Sequence, residues 1–274
     1  MKKHLLAYPY GLWMAIFTII PLALIIFYSI FTTDAAGFHF TLQHFKRVFE
    51  PIYLSVFFRS IKIAAISTII CLLLGYPMAM ILAGKNLSKK SILVVLFVIP
   101  MWMNFLARTY AWMTLLEKNG LIASALGYLG INLPSLLYTE NAVILGMIYN
   151  FLPFMVLPVY SVLVKIDKAV LEAAEDLGAP PATVFKRVIF PLSLPGVSSG
   201  VIMVFMPALT TFVISRLLGG AHFTLIGNLI EQQFLTTRDW GFGAALSVVL
   251  MLMIMFSMSI ALKYEKENEG GGLW

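Results

Sequence analysis

The residues with the strongest chemical character form one polar stretch, residues 165–190, with the sequence KIDKAVLEAAEDLGAPPATVFKRVIF. Asp167 can cap the start of a helix and Gly178 can end it in a left-handed turn. At 100° per residue, small and apolar side chains fall on one side of this helix and carboxylates on the other. The first group is Val170, Leu171, Ala173, Ala174 and Leu177, and the second is Glu172, Glu175 and Asp176. Small side chains permit close approach of another molecule and Glu172 offers a charge, so this predicted helix is suited to docking onto a binding partner.

A second short helix is predicted to follow in the same stretch. Pro180 and Pro181 suit a first helical turn, and Lys186 and Arg187 suit a last one. The two helices could lie on lipid as an interfacial element, or they could dock onto a protein. Three acidic residues disfavour lipid, because the inner leaflet of a membrane is anionic. We therefore favour a cytoplasmic protein partner and keep the lipid interpretation as the alternative.

Two common signatures of catalysis and metal chemistry are missing from the sequence. It contains no G-x-x-x-x-G-K-[ST] phosphate loop and no HExxH. The single cysteine, Cys71, excludes a disulfide framework. His39 and His44 could lie close together in one loop, but two histidines without a third ligand are more typical of a surface than of a metal site. The sequence predicts a non-catalytic chain with no cofactor or metal of its own.

The composition indicates a membrane protein. Of the 274 residues, 60% are hydrophobic and 12% are charged, whereas soluble domains have about 45–50% and about 25%. So few charges cannot cover a soluble surface of this size. This excludes a soluble enzyme, a disordered chain and a free nucleic-acid binder. The net charge of +6 is less informative, because the placement of basic residues matters more than their sum in a membrane protein.

Six charge-poor stretches reach or approach the roughly 20 apolar residues that a membrane-spanning helix needs. They are Tyr10–Phe31, Ile63–Gly84, Ser91–Ala107, Asn141–Val164, Val188–Ser215 and Trp240–Leu262. The third must continue past Arg108 to about Met113, and prolines indicate that the fifth starts near Pro195. The glycine-containing stretch Asn119–Thr139 is interpreted as short helices and turns at the membrane surface. These elements predict an all-α polytopic fold with six transmembrane helices.

Six spans with both termini in the cytoplasm place most of the basic residues inside, as the positive-inside tendency requires. They are Lys2, Lys3, Lys85, Lys89, Lys90, Lys165, Lys168, Lys186, Arg187, Lys263 and Lys266. The first apolar run is long for a signal peptide and lacks a cleavage site, so we expect it to be the first span. We divide the chain into a single transmembrane domain, residues 1–264, and a polar cytoplasmic tail, residues 265–274.

Polar and aromatic side chains lie beside prolines near the predicted middle of three spans. They are Trp102 and Asn104 after Pro100, Tyr149 and Asn150 before Pro153, and Thr210 and Thr211 after Pro207. Polar groups are costly at this depth and often line a pathway, although the same residue types also hold helices together. For the set as a whole we favour a substrate pathway. Arg108 and Arg216 lie toward span ends, where long basic side chains reach the headgroups.

The polar stretch also carries a longer pattern, in which Glu-Ala-Ala, three residues, Gly and nine residues precede apolar-x-apolar-Pro. It is formed by Glu172, Ala173, Ala174, Gly178, Val188, Phe190 and Pro191. The pattern resembles the EAA loop of ABC-importer permeases, with Val188 and Phe190 in place of the commoner Ile and Leu. The resemblance implies a type I ABC-importer permease fold, in which this coupling loop sits in a groove of an ATPase subunit. ATP and Mg²⁺ would then be bound by partner ATPases rather than by this chain.

Four longer strings extend the resemblance to the PotB-type permeases of spermidine/putrescine importers. They are LLGYPMAMILA, IPMWMNFLARTYAWMTLL, YNFLPFMVLPVYSVL and LIGNLIEQQFLTTRDWGFGAALS. The resemblance implies a bacterial inner membrane, a second PotC-like permease, two PotA-like ATPases and a PotD-like external binding protein. Trp102 and Tyr149 could bind ammonium groups by cation–π attraction, but no carboxylate lies at mid-membrane depth. An importer of another small solute, either an organic cation or an oxyanion, is the alternative.

Overall fold

The structure, a computed structural model, describes residues 8–34, 37–84, 90–128, 136–220 and 223–270, most of which are helical. The first seven helices are α1 (Tyr8–Met14), α2 (Ile20–Ile30), α3 (Gln43–Val48), α4 (Pro51–Ala83), α5 (Lys90–Trp102), α6 (Phe105–Leu116) and α7 (Leu121–Tyr128). The others are α8 (Glu140–Leu163), α9 (Lys168–Asp176), α10 (Pro181–Val184), α11 (Phe190–Thr210), α12 (Val213–Gly219), α13 (Ile226–Gln232) and α14 (Trp240–Gly270). Short π-helical turns cover Ala15–Ile19, Phe185–Ile189 and Gln233–Thr237.

Five helices are long and apolar enough to cross a membrane, and one bent helix pair makes a sixth if it counts as a single span. The five are Pro9–Ile30, Pro51–Ala83, Glu140–Leu163, Pro181–Thr210 and Trp240–Ser259. They correspond to the first, second, fourth, fifth and sixth predicted spans, so the all-α fold class is confirmed. In the stretch predicted to form short helices and turns, the described part contains the eight-residue helix α7. The final helix continues to Gly270, into the predicted tail.

Within the described residues, β structure is limited to one antiparallel hairpin after α2. Its strands are β1 (Phe31–Asp34) and β2 (Gly37–Phe40), with Phe31 opposite Phe40. Phe27 at the end of α2 stacks on Phe31 at a ring-centre distance of 4.6 Å. The hairpin is thus fixed to the helix by aromatic contacts, which the all-α prediction did not anticipate.

The second span begins earlier than predicted, because α4 starts at Pro51 rather than near Ile63. The added turns contain Arg59 and Lys62, whose charges set the predicted boundary. Lys62 Nζ lies 2.8 Å from Glu140 Oε1. The Arg59 guanidinium lies 5.7 Å from the centre of the Phe223 ring. Because both cations find tertiary partners, the helix extends beyond the limit that hydropathy alone indicates.

The prediction of a continuous third span is wrong. Its two arms, α5 and α6, are bent by 89° between Trp102 and Phe105. At the bend, Asn104 Oδ1 accepts hydrogen bonds from the N–H groups of Leu106 at 2.8 Å and Ala107 at 3.2 Å. This side chain is therefore an N-cap, which begins a new helix instead of continuing the old one.

The second helix of the polar loop does not end at Lys186 and Arg187, as predicted, but continues into the fifth span. Pro181–Thr210 is one run of 30 residues, in which a π turn joins α10 to α11. The N–H of Phe190 donates to the carbonyl of Phe185, five residues back. Pro191 follows and has no N–H to donate, so the π turn lets the helix pass the proline. The helix that contains the fifth span therefore starts at Pro181, before Pro195.

The chain divides into two compact units. The first comprises Met1–Phe58 and Ile226–Phe256, and the second comprises Arg59–Leu225 and Ser257–Trp274, as far as these ranges are described. In the first unit, the Arg47 guanidinium lies 4.1 Å from the centre of the Phe242 ring. Arg47 Nη1 also lies 2.7 Å from Asp239 Oδ2. The single domain proposed for residues 1–264 stays a prediction.

The core of the second unit is built on the contact between α8 and α11. Glycines permit it, because a Cβ at Gly196 would lie 2.9 Å from the Pro158 carbonyl oxygen. A Cβ at Gly200 would lie 2.7 Å from the Met155 sulfur, and one at Gly75 of α4 would lie 3.0 Å from Met155 Cγ. The spacings Gly196-x-x-x-Gly200 and Gly75-x-x-x-Ala79 predict such close contacts, which the structure confirms.

The segment from Gly196 to Gly200 also matches the G-x-S-x-G spacing of serine hydrolases. That motif presents its serine on a sharp turn between a strand and a helix. Here the segment lies inside α11, where Ser198 Oγ donates to the Leu194 carbonyl at 3.0 Å. The spacing therefore serves helix packing and provides no exposed nucleophile.

Candidate functional site

The helix α9 is the local structure that the polar stretch predicts. Asp167 Oδ1 accepts a hydrogen bond from the Ala169 N–H at 3.0 Å and caps the first turn. At the other end, Gly178 has φ of +74°, which a residue with a Cβ adopts only at a cost. The Gly178 N–H donates to the Glu175 carbonyl at 2.9 Å, and the Ala179 N–H donates to the Ala174 carbonyl at 3.2 Å. The predicted cap and the predicted left-handed end are both confirmed.

The side chains of α9 are all at least partly exposed. Glu172 lies on the polar face of α9, and Val170 is exposed on the opposite, apolar face. Leu177 immediately after the helix is 88% exposed. An amphipathic helix normally buries its apolar face. The chain therefore presents this face, with Ala173 and Ala174 on it, for contact with something outside itself.

The predicted pathway residues divide at the bend between α5 and α6. Trp102 ends α5 and is 81% exposed, so its ring is available for contact. Asn104 is committed to capping α6. Tyr149 of α8 is partly exposed, and its ring meets that of Trp112 edge-on at 5.3 Å. Two aromatic rings of the predicted set, Trp102 and Tyr149, thus keep an exposed surface.

The remaining predicted pathway residues serve mainly their own helices. Asn150 is 2% exposed, and its Nδ2 donates to the Gly146 carbonyl at 2.8 Å, while its buried Oδ1 has no partner. Thr210 Oγ1 donates to the Met206 carbonyl at 3.1 Å. Thr211 caps α11, and its N–H donates to the Pro207 carbonyl. These three contacts are local, and none of them joins the threonines to the two aromatic rings.

A pocket of about 490 Å³ lies in the second unit, at the inner side of the bend. Four helices line it, namely α4, α5, α6 and α8. Phe97 and Pro100 come from α5, and Tyr149 and Pro153 come from α8. The structure therefore places Tyr149 in a cavity with two of the prolines that sequence analysis associates with the pathway.

Arg108 also lines this pocket, and its predicted position at the headgroups is wrong. The residue is 8% exposed, and its Nε has no hydrogen-bond partner. The bend explains the difference, because α6 turns away from the axis of α5 and places Arg108 beside residues of α4 and α8. The sequence contained no signal for this position, since Asn104, four residues earlier on the same helix face, is exposed.

The first unit contains a second pocket, of about 400 Å³, lined in part by His44, Asp239 and Trp240. Burial alone would raise the pKa of Asp239. Hydrogen bonds from Arg47 and from the Phe242 N–H, together with the Arg47 charge, instead hold that pKa below its ordinary value. Asp239 is therefore a stable anion that fixes Arg47. Within the described ranges, no group of three His, Cys, Asp or Glu side chains could hold a metal ion.

The apolar helices and the exposed, capped helix between two of them define a membrane-embedded protein that presents one amphipathic helix outside its spans. Residues 72–266 match the family described as "Binding-protein-dependent transport system inner membrane component". Since this match covers more than half of the chain, the protein belongs to that family. It is a permease subunit located in the inner membrane.

Named relatives agree with this family. The chain is 43% identical to the spermidine/putrescine transport system permease protein PotB of Escherichia coli strain K12, over 87% of this chain and 88% of the relative. It is 40% identical to the protein of the same name from Haemophilus influenzae, over 87% and 85% of the two chains. These relatives confirm the resemblance drawn from the four sequence strings.

Solved structures confirm the fold. A bacterial ABC transporter involved in the import of the acidic polysaccharide alginate contains a chain that matches with a TM-score of 0.75 and 18% identity. The match covers 96% of both chains. At this identity the likeness concerns the fold alone, which is that of a type I ABC-importer permease, as predicted.

Proposed function

We propose that this chain is the transmembrane permease of an ATP-driven importer for polyamines, with spermidine and putrescine as substrates. The identity of 43% to a spermidine/putrescine permease, over 87% of the chain, is the observation that carries the proposal. The chain forms half of the translocation pathway and is not an enzyme. ATP and Mg²⁺ bind to partner ATPase subunits, and no cofactor binds to this chain.

The proposed complex contains four kinds of subunit. This chain pairs with a second, PotC-like permease, two PotA-like ATPases lie on the cytoplasmic side, and a PotD-like binding protein delivers substrate from outside. Both termini of this chain lie in the cytoplasm together with α9. A solved relative of the fold is described as an alginate transporter in complex with a ligand-bound periplasmic protein, which supports an external binding protein for this fold.

The coupling residues of the proposal are Glu172, Ala173, Ala174, Gly178 and Pro191. The first three lie on α9, whose exposed apolar face suits a groove of an ATPase subunit. The two alanines allow close backbone approach, and Glu172 offers a charge to a basic residue of that groove. Gly178 sets the direction in which the chain leaves the helix, because its φ of +74° fixes the turn.

The structure offers a mechanical route from α9 to the membrane. After the turn at Gly178, the chain enters Pro181–Thr210, which is a single helix of 30 residues. Pro191 lies within it, next to the π turn. Because Gly196 and Gly200 bring this helix into close contact with α8, a push on α9 moves both helices together. ATPase closure would thus be converted into alternating access of the pathway.

The substrate pathway of the proposal contains Trp102, Asn104, Tyr149, Asn150, Thr210 and Thr211. The exposed rings of Trp102 and Tyr149 support it best, because each aromatic face can attract an ammonium group with about 0.5–2 kcal/mol. Asn104, Asn150 and the threonines act mainly by holding the backbone around these rings. Carboxylates for the polycation would come from the partner permease, which leaves a weak site that releases its cargo.

A second candidate function is import of another small solute, an organic cation or an oxyanion. Arg108 specifically favours the oxyanion, because its buried guanidinium lines the pocket that contains Tyr149. An arginine in such a place is suited to oxyanions through paired N–H donors. The identity to polyamine permeases outweighs this single residue.

The function can be tested by reconstitution of the whole complex into proteoliposomes. Internal uptake of radiolabelled spermidine, putrescine and molybdate is measured with and without ATP. We expect ATP-dependent uptake of both polyamines and none of molybdate. Uptake of molybdate alone would replace the polyamine proposal with the oxyanion one. Equal uptake without ATP or without the ATPase would contradict an ATP-driven importer.

A further inference from the structure

The buried charge of Arg108 has no counter-ion in the part of the chain that the structure describes. The ion pairs Lys62–Glu140 and Arg47–Asp239 do not involve Arg108. Its Nε also lacks a hydrogen-bond partner. A buried, unpaired charge is costly, and arginine keeps its proton under all ordinary conditions. The site therefore calls for an anion that is not part of this chain.

The surroundings of Arg108 show what else that anion must carry. Apart from Arg108 and Tyr149, the pocket is lined by aliphatic, methionine, proline and phenylalanine side chains, such as Met78, Leu93 and Phe97. Its volume of about 490 Å³ lies within the range of small-molecule sites. An inorganic anion would satisfy Arg108 but leave this apolar lining empty.

The lining indicates an anion joined to one apolar chain. Arg108 shares the pocket with Tyr149, the tenth residue of the 24-residue helix α8. Ile81 and Leu82, at the end of α4, also line it. The lining thus runs from the middle of one apolar helix to the end of another. A fatty acid joins its carboxylate directly to one acyl chain, whereas a phospholipid would bring a glycerol backbone and two acyl chains into the same space.

We propose that this pocket binds a long-chain fatty acid, with its carboxylate paired to Arg108 and its acyl chain along α4 and α5. Carboxylate and guanidinium form two parallel, charge-assisted hydrogen bonds. Burial of the acyl chain adds a favourable hydrophobic contribution. The membrane supplies the ligand, and the binding does not depend on which solute the complex transports.

Photo-crosslinking of the purified complex, with this chain at full length, tests the proposal. The probe is a palmitic acid analogue with a diazirine on its chain, and labelled peptides are identified by mass spectrometry. We expect labelling of peptides from α5 and α8. In Arg108→Gln the labelling should fall roughly tenfold, because a charge-assisted interaction is lost. Arg108→Lys, which keeps the charge, should retain most of it.

Three controls keep the result specific. Arg216→Gln removes an exposed arginine by the same substitution and should leave labelling unchanged. Leu93→Trp fills the pocket without changing its charge and should abolish labelling. The matching diazirine alcohol, which lacks the carboxylate, should label weakly. Equal labelling by alcohol and acid, unchanged labelling in Arg108→Gln, or labelling of these peptides only by a diazirine phosphatidylglycerol would overturn the proposal.

Discussion

The coupling helix α9 and the broken span formed by α5 and α6 both depend on a helix cap, but the caps have opposite consequences. Asp167 begins a helix whose side chains all stay at least partly exposed. Asn104 begins a helix that carries Arg108 into a pocket. One region leaves its surface exposed, and the other region turns its charge inward.

The difference concerns how far apart the interacting residues are in sequence. In α9, the hydrogen bonds that cap the two ends join residues within five positions of one another, such as the Ala179 N–H and the Ala174 carbonyl. In the broken span, Arg108 shares a pocket with Leu82 and Pro153, which are distant in the chain. A local motif can therefore specify the first region, whereas packing must assemble the second. The two regions should also fail in different ways when they are altered.

The largest expected effect is that of Gly178→Pro in the coupling region. Proline fixes φ near −65°, whereas Gly178 has φ of +74° and uses its N–H in a hydrogen bond. We expect ATP-driven uptake to fall by about tenfold or more, since the roughly 3 kcal/mol of an incompatible proline exceeds what a docking turn can absorb. Uptake into proteoliposomes measures this, and membrane fractionation verifies insertion.

Gly178→Asn is the matched control for that substitution. Asparagine adopts the left-handed conformation more readily than other residues with a Cβ, so uptake should stay near the unmodified level. If the asparagine variant failed as completely as the proline variant, the backbone conformation would not be the reason for the loss.

The next effect is that of Glu172→Lys, which reverses a charge on the polar face of α9, beside the apolar docking face. We expect retention of the ATPase on the purified permeases to weaken by roughly tenfold, because an interfacial charge would meet one of its own sign. Co-purification of the ATPase in a salt series measures this. Glu175→Lys makes the same change of charge nearby and should be milder. Equal losses in both variants would show that net charge, not the Glu172 contact, controls docking.

A smaller effect is expected in the pathway region for Trp102→Ala and Tyr149→Ala. Loss of one cation–π contact at an exposed ring should raise the KM for spermidine roughly 2- to 5-fold and leave ATPase retention intact. Trp13→Ala removes an exposed tryptophan from α1 and is the control. Unchanged KM values in both pathway variants would show that neither aromatic ring contacts the transported substrate. If either substitution also released the ATPase from the permeases, the pathway region and the coupling region would not be functionally independent.

The smallest effect concerns the ion pair of Arg47 and Asp239, which belongs to neither region. The folded protein holds the pKa of Asp239 below its ordinary value of 3.8, so the pair stabilises above that pH and the stability is lost as pH falls through the folded-state pKa. Because both side chains are about one-third exposed, we expect no more than about 1 kcal/mol.

Asp239→Asn provides the measurement, since asparagine can still accept the hydrogen bond from the Phe242 N–H. The melting temperature of the variant should lie slightly below that of the unmodified protein at neutral pH. The two should converge as Asp239 becomes protonated below its ordinary pKa. A difference that stays constant down to about pH 3 would exclude the ion pair as its cause.

Much of the fold follows from short-range patterns. Long apolar runs predict five of the spans, because a helix satisfies its own backbone groups in hydrocarbon. The cap at Asp167 and the turn at Gly178 predict α9, because both residues act within one helical turn. The packing contacts at Gly196 and Gly200 follow from their spacing on one helix face.

The candidate site follows from the sequence only in part. Glu172 and its neighbours are where the motif predicts, but Asn150 and Thr210 are occupied by bonds within their own helices. The extension of α4 depends on Lys62 finding Glu140, which is 78 positions away. Hydropathy contains no information about such a partner.

The sequence by itself determined the membrane class, five of the apolar spans and the form of the coupling helix. Each of these depends on composition or on residues three to five positions apart. Only the tertiary structure decided that the third span bends at Asn104, that the coupling loop continues into the fifth span, and that Arg108 is buried. The physical reason is that burial and bending depend on which distant helices fill the space beside a residue, and a single sequence does not record that arrangement.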